Sequence, residues 1–186
     1  MSYFAVLDTE TNWYNEVMSI GLVVSDSDAF RPVETKYFIL DPDFKCGGMF
    51  SSALTMRGQK SILAGRADAL DRIGAWLRSF EVRSLFAYNA SFDCGMLPEL
   101  SDYCWHDIMR LAAYRQYNDA IPDCADCFGT GRIKSGYGVE PMMRLLSGNQ
   151  RYAEKHNALC DAVDELEIMR LLGHELEMYQ NAILRR

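Results

Sequence analysis

No stretch of this 186-residue chain approaches the roughly eighteen consecutive apolar residues that a membrane helix requires. A secretory leader is not expected either, because the first apolar run reaches Asp8 with no basic flank before it. Repeats, low-complexity tracts and linker-like segments are missing, and there are only 5 prolines. With 49% hydrophobic and 12% aromatic residues, a disordered chain is excluded. Basic residues are scarce: 19 Lys and Arg stand against 26 Asp and Glu, a net charge of −7. That sign disfavours a passive binder that grips polyanions by surface charge. It leaves room for an enzyme whose acids are clustered around divalent cations. Six cysteines without an export signal lead to an expectation of reduced thiols in the cytoplasm.

What is present suits one α/β domain over residues 1–186. Tyr3–Asp8 is a short apolar and aromatic run, read as a buried strand, and strands are also expected over 17–25 and 35–40. Between 61 and 80 the apolar positions (Ile62, Leu63, Leu70, Ile73, Trp76, Leu77, Phe80) recur every three or four residues, which predicts a helix. Ser84–Tyr88 returns to strand, a short helix follows through Phe92 and Asp93, and a brief strand over 103–105 feeds a helix near Asp107. The Cys- and Gly-rich span 122–138 reads as irregular, 142–146 as a short helix and 157–180 as a long one. The expected architecture is a mixed five-stranded sheet flanked by helices.

Three acidic motifs sit where strands end and helices open. Asp8 and Glu10, two apart in an extended chain, point to one face. Side by side they repel, which is costly unless a cation lies between them; otherwise they are solvated acids at a strand end. Asp93 stands in the first turn of a helix, beside Asn89 and Phe92, where an acid also suits the helix dipole. Asp161 lies about one turn inside the last long helix, with His156 on the approach to it.

Taken together, Asp-x-Glu, Asn-x-x-Phe-Asp and His-x4-Asp, in that order, resemble the DEDD-type 3′→5′ exonuclease superfamily, and the likeness runs from residue 3 to about 172. The Ile20-Gly21 that follows the first motif is similar to that family's second strand. A histidine five residues before Asp161, with Asn157 where the other branch carries a tyrosine, looks like the histidine branch. The resemblance implies a ribonuclease H-like fold and the hydrolysis of phosphodiester bonds from 3′ ends of DNA or RNA with two Mg²⁺ or Mn²⁺. It implies Asp8, Glu10, Asp93 and Asp161 as metal ligands, with Asp8 shared between the ions, and His156 as general base. Hard divalent ions take carboxylate oxygens, and two of them roughly 3.5–4 Å apart can serve both the attacking and the leaving oxygen. An imidazole titrates near neutrality, as a base for water requires.

Thr11, Asn12 and Trp13 follow the first motif, where the family places the terminal nucleotide, and Trp13 is a candidate for base stacking. Asn89 is a candidate for bonding near the site, and Phe92 for a wedge against the terminal bases or a core side chain. Few basic residues imply a preference for short or single-stranded ends. A homodimer or a polymerase partner stays open. Two other functions compete: a catalytically silent relative that only binds nucleic acid or a polymerase, and a phosphatase with Asp8 as covalent nucleophile. The remaining motifs carry less. Cys124-Ala-Asp-Cys127 is half of a zinc site, Asp107 reads as a helix N-cap, Gly129-Thr-Gly131 and Gly136-Tyr-Gly138 lack the context of a phosphate loop, and Met142 and Met143 read as core.

Overall fold

The computed structural model describes residues 2–184. Three antiparallel strands open the chain: β1 (Tyr3–Thr11), β2 (Val17–Asp26) and β3 (Pro32–Leu40). A short β4 (Ile62–Ala64) adds to the outer edge of β3 in parallel, and α1 (Arg66–Ser79) follows it. On the other side of β1 lie β5 (Ser84–Ala87) and β6 (Cys104–Asp107), both parallel to it, with α2 (Ser91–Met96) between them in sequence. The chain then forms α3 (Met109–Ala112), α4 (Val139–Ser147) and α5 (Ala158–Leu172). The sheet order is β4-β3-β2-β1-β5-β6.

The sheet thus has six strands rather than the five expected. Ile62 and Leu63 fall at helical spacing relative to Leu70, but Gly65 interrupts the chain and α1 begins only at Arg66. The last expected helix is also shorter: α5 stops at Leu172, where Gly173 takes a left-handed φ of 68°, and a 3₁₀ segment covers Leu176–Ala182. Met142 and Met143 are core. No helix among the described residues is long and apolar enough to cross a membrane.

Strand alternation sorts the side chains into two layers. Ala5 and Leu7 pack with Leu70, Ile73 and Leu77 of α1, whereas Phe4 and Val6 pack with Leu166, Ile168 and Met169 of α5. Asp8 and Glu10 continue the second series, so β1 turns its carboxylates towards α5. The helix reaches them because of one glycine. Asp8 pairs with Gly21 across the β1–β2 ladder, and a Cβ at Gly21 would lie 2.1 Å from the Ala158 carbonyl carbon. Only a bare backbone lets the first turn of α5 cross the sheet there.

Candidate active site

Acidic side chains gather at the carboxyl ends of the parallel strands β1 and β5, the customary place for ligands on such sheets. Glu10, His156 and Asp161 each offer a ligand atom, and these atoms lie within 4.8 Å of one another. Asp93 enters from the first turn of α2, where Thr9 Oγ1 donates to its Oδ1 at 2.7 Å. That bond ties α2 to β1 and fixes the orientation of a carboxylate that is itself buried.

Two further acids join the expected set. Glu165 is buried one turn beyond Asp161 on α5, and its Oε2 accepts from the Tyr88 backbone N–H at 3.0 Å. Glu154 stands on the approach to α5, two residues before His156, and its negative charge acts on both Glu10 and Asp161. Spacing held a signal for Glu165, since positions i and i+4 share a helix face. The apolar residues around it hid that signal.

Crowding of like charges in a buried place drives every carboxyl upward in pKa. Burial pushes Asp8 well above the carboxylate range, and Asp93, Glu165, Asp161 and Glu10 add to the shift. Burial, then Glu154 and Asp93, raise Glu10 to about 7. Asp161 rises to about 8 through burial, Glu154, Glu10 and Asp164. Asp93 rises to about 7, chiefly by burial, against the opposing bond from Thr9. Glu165 is pushed well above its ordinary value by burial and by Asp93. Such a cluster is stable either protonated or neutralised by cations.

The donor set suits hard divalent ions. Its acids are carboxylates, and Asp161 Oδ1 is buried with no hydrogen-bond partner among the described residues, an oxygen available to an electrophile.

His156 occupies a left-handed backbone conformation, φ 53°, and its ring stacks on Phe50 with centroids 3.9 Å apart and planes 15° apart. The next residue, Asn157, caps α5 by accepting from the Cys160 N–H at 3.2 Å. Its carboxamide also bonds Gln59, the Ala53 carbonyl and the Tyr37 hydroxyl. Upstream, Tyr152 Oη donates to Asp164 Oδ2 at 2.6 Å and Arg144 Nε donates to the Tyr152 carbonyl at 2.8 Å. The segment bearing Glu154 and His156 is therefore pinned at both ends.

The expected substrate-contacting residues divide. Trp13 is 66% exposed on the turn after β1 and Phe92 is 40% exposed beside Asp93, so neither is core. Asn12 is buried; its Oδ1 accepts from the Tyr14 and Glu16 N–H groups and its Nδ2 donates to Glu16 Oε2 and the Asp43 carbonyl. It builds the turn that presents Trp13. Thr11 is half-buried at a break in the β1–β2 register. Asn89 adopts φ 60°, a conformation asparagine tolerates, and its N–H donates to Asp107 Oδ1 at 2.9 Å. Asp107 also accepts from the Met109 N–H at 3.1 Å, which joins the β5–α2 turn to the start of α3. Cys124 and Cys127 are free thiols.

No family model matches the sequence, and no curated protein matches it. Solved structures do. The nuclease domain of 3′hExo, a DEDDh family member bound to rAMP, is similar with a TM-score of 0.66 at 14% identity, over 100% of this chain and 97% of that one. A 3′-exonuclease recognising the 3′ end of a histone mRNA stem-loop is similar with a TM-score of 0.63 at 14% identity, over 94% of this chain and 65% of that one. Exonuclease I of E. coli in complex with a dT13 oligonucleotide gives 0.63 at 14% identity, over 96% of this chain; the chain spans 42% of that protein. The fold is thus that of the DEDDh 3′-exonucleases, a ribonuclease H-like α/β sheet flanked by helices.

Proposed function

We propose that this chain is a divalent-metal-dependent 3′→5′ exonuclease of the histidine branch, acting on single-stranded nucleic acid or short oligonucleotides. The observation that carries the reading is the meeting of ligand atoms of Glu10, His156 and Asp161 within 4.8 Å, from two distant parts of the sequence, on a fold shared with 3′-exonucleases.

Asp8, Glu10, Asp93 and Asp161 are the residues that would hold two Mg²⁺ or Mn²⁺ ions. Bound there, the ions supply neutralisation of the phosphate oxygens, acidification of the attacking water and support for the departing 3′ oxygen. His156 takes the proton of that water on a ring nitrogen. Phe50 holds the plane of the imidazole through the stack. Thr9 and Glu165 are positioning residues: the first aims Asp93, and the second ties the turn after β5 to α5. Trp13, on the turn after β1, and Phe92, next to Asp93 in α2, offer exposed rings for the terminal bases.

The experiment compares 3′-labelled with 5′-labelled oligonucleotides in Mg²⁺ or Mn²⁺, with EDTA as control. Stepwise loss from the 3′ end, abolished by EDTA and by Asp8→Ala with the fold retained, is expected. Parental activity in Asp8→Ala, or loss from the 5′ end, overturns the proposal.

A further inference from the structure

We propose that the loop between α3 and α4 carries a second nucleic-acid contact, a stacking platform of Phe128, Arg132 and Tyr137 for unpaired nucleotides upstream of the cleaved linkage. The inference rests on the exonuclease reading for its position relative to the reacting end.

The loop is irregular, as expected, and is nonetheless held by specific hydrogen bonds. The Phe128 N–H donates to the Arg132 carbonyl at 2.8 Å and the Gly131 N–H to the Phe128 carbonyl at 2.9 Å, closing a tight hairpin turn in which Gly131 takes φ 87°. Isolated bridges pair Cys127 with Ile133 and Tyr114 with Arg132. Ile133 is buried in the core on the α5 side of the sheet, and the Ile133 N–H donates to the Ala113 carbonyl. Arg115 donates to the Ala125 carbonyl at 2.7 Å. So ordered a loop offers a binding surface without a further ordering cost.

Its outer side is aromatic and cationic. Phe128 and Tyr137 are 44% and 38% exposed. The Arg132 guanidinium lies over both rings, 4.9 and 5.1 Å from their centroids, and Lys134 stands 5.9 Å from Phe128. Lys134 pairs with Asp126, whereas Arg132 makes no ion pair among the described residues. In a chain of net charge −7, an unneutralised guanidinium between two exposed rings is complementary to a phosphate backbone and to base faces together. An apolar partner would match the rings but leave the charge unmet.

Place completes the argument. The Tyr137 carbonyl accepts from Tyr88 Oη at 2.6 Å, and the Tyr88 N–H is bonded to Glu165 beside the acidic cluster. One tyrosine side chain therefore spans the distance from the candidate active site to the platform. A strand whose 3′ end lies among the carboxylates meets these rings a few nucleotides back.

The test measures binding of a fluorescent single-stranded 12-mer, by anisotropy with Ca²⁺ as the sole divalent ion, and hydrolysis of both the 12-mer and a dinucleotide in Mg²⁺. Phe128→Ala with Tyr137→Ala, and Arg132→Ala alone, are expected to weaken 12-mer binding about tenfold or more and to raise the 12-mer KM, with dinucleotide turnover unchanged. Phe128→Leu, which keeps the bulk and loses the π face, is expected to weaken it in the same direction. Binding within twofold of the parent in the double variant, full retention in Phe128→Leu, or a parent that does not bind the 12-mer overturns the platform. A parent that binds the strand through these rings but releases no nucleotides would instead sink the exonuclease reading and leave the platform standing.

Discussion

Gly21→Ala is the most economical way to break the candidate site without touching a carboxylate. The new methyl carbon would stand 2.1 Å from the Ala158 carbonyl carbon, and 2.2 Å from both the Ala158 oxygen and the Leu159 nitrogen. Carbon atoms in contact sit about 3.5–4.0 Å apart, so strand and helix must separate by more than about 1 Å. Both are backbone, with no side-chain rotation to absorb the strain. Overpacking of this kind costs about 1–3 kcal/mol, equivalent to a fall of roughly 2–12 °C in melting temperature for a chain of this size. The separation also carries Asp161 away from Asp8 and Glu10, and a displacement of about 1 Å in a reacting constellation can cost about a hundredfold in rate. The assay is release of nucleotides from a 3′-labelled oligonucleotide in Mg²⁺, together with thermal unfolding. Gly95→Ala is the control: it lies in α2, close in sequence to Asp93, but its added carbon meets nothing within 4 Å, so turnover should match the parent and the melting temperature should not fall. A Gly21→Ala variant with parental turnover and parental melting temperature would refute the claim that this glycine sets the approach of α5.

Two more outcomes follow from the crowded acids. The raised carboxyls of Glu10, Asp93 and Asp161 (to about 7, 7 and 8) hold protons in the folded state that the unfolded chain has already released, so their contribution favours folding at low pH and is lost as the pH climbs. The metal-free protein should therefore lose stability between pH 4 and pH 8, and the rise in melting temperature on adding Mg²⁺ or Mn²⁺ should be larger at pH 8 than at pH 5; equal rises at both would contradict the assignment. Glu165→Gln retains an acceptor for the Tyr88 N–H and removes one buried charge, so the metal-free protein should be more stable at pH 8 while its affinity for Mg²⁺ falls about tenfold, read from the ion dependence of melting temperature and turnover. Unchanged ion dependence would mean that Glu165 serves the fold alone.

Where Asp8, Glu10, Asp93, His156 and Asp161 stand on their strands and helices was legible in the sequence because local rules govern each placement. Two acids spaced by two on a strand share a face, and a helix that opens after His156 sets Asp161 one turn in. Only the union of the three motifs needed a resemblance. Long-range contacts decided the rest. Gly21 looked like a family mark, and its reason emerged only from the helix lying across it. Glu165 sits among apolar residues, where a periodic reading sees packing rather than chemistry. The strand Ile62–Ala64 is three residues long and owes its existence to the edge of β3, beyond what its own side chains can announce. The loop after α3 has little local signal, since its order comes from Ile133 reaching the core and from Arg115 gathering its carbonyls. Exposure of Trp13, Phe92 and Phe128 is likewise a property of the finished surface.

Asn157 joins two regions far apart in the chain. Its carboxamide caps α5 next to His156 and at the same time grips Ala53 and Gln59, in the long stretch between β3 and β4 that also supplies Phe50 beneath the imidazole. That stretch holds none of the clustered acids of the candidate site, yet it governs where the His156 ring rests and where the last helix begins. Sequence drift there offers a route for retuning the candidate site while its four carboxylate positions stay fixed. Relatives that keep identical acidic motifs can therefore diverge in activity through a segment that a motif search never inspects.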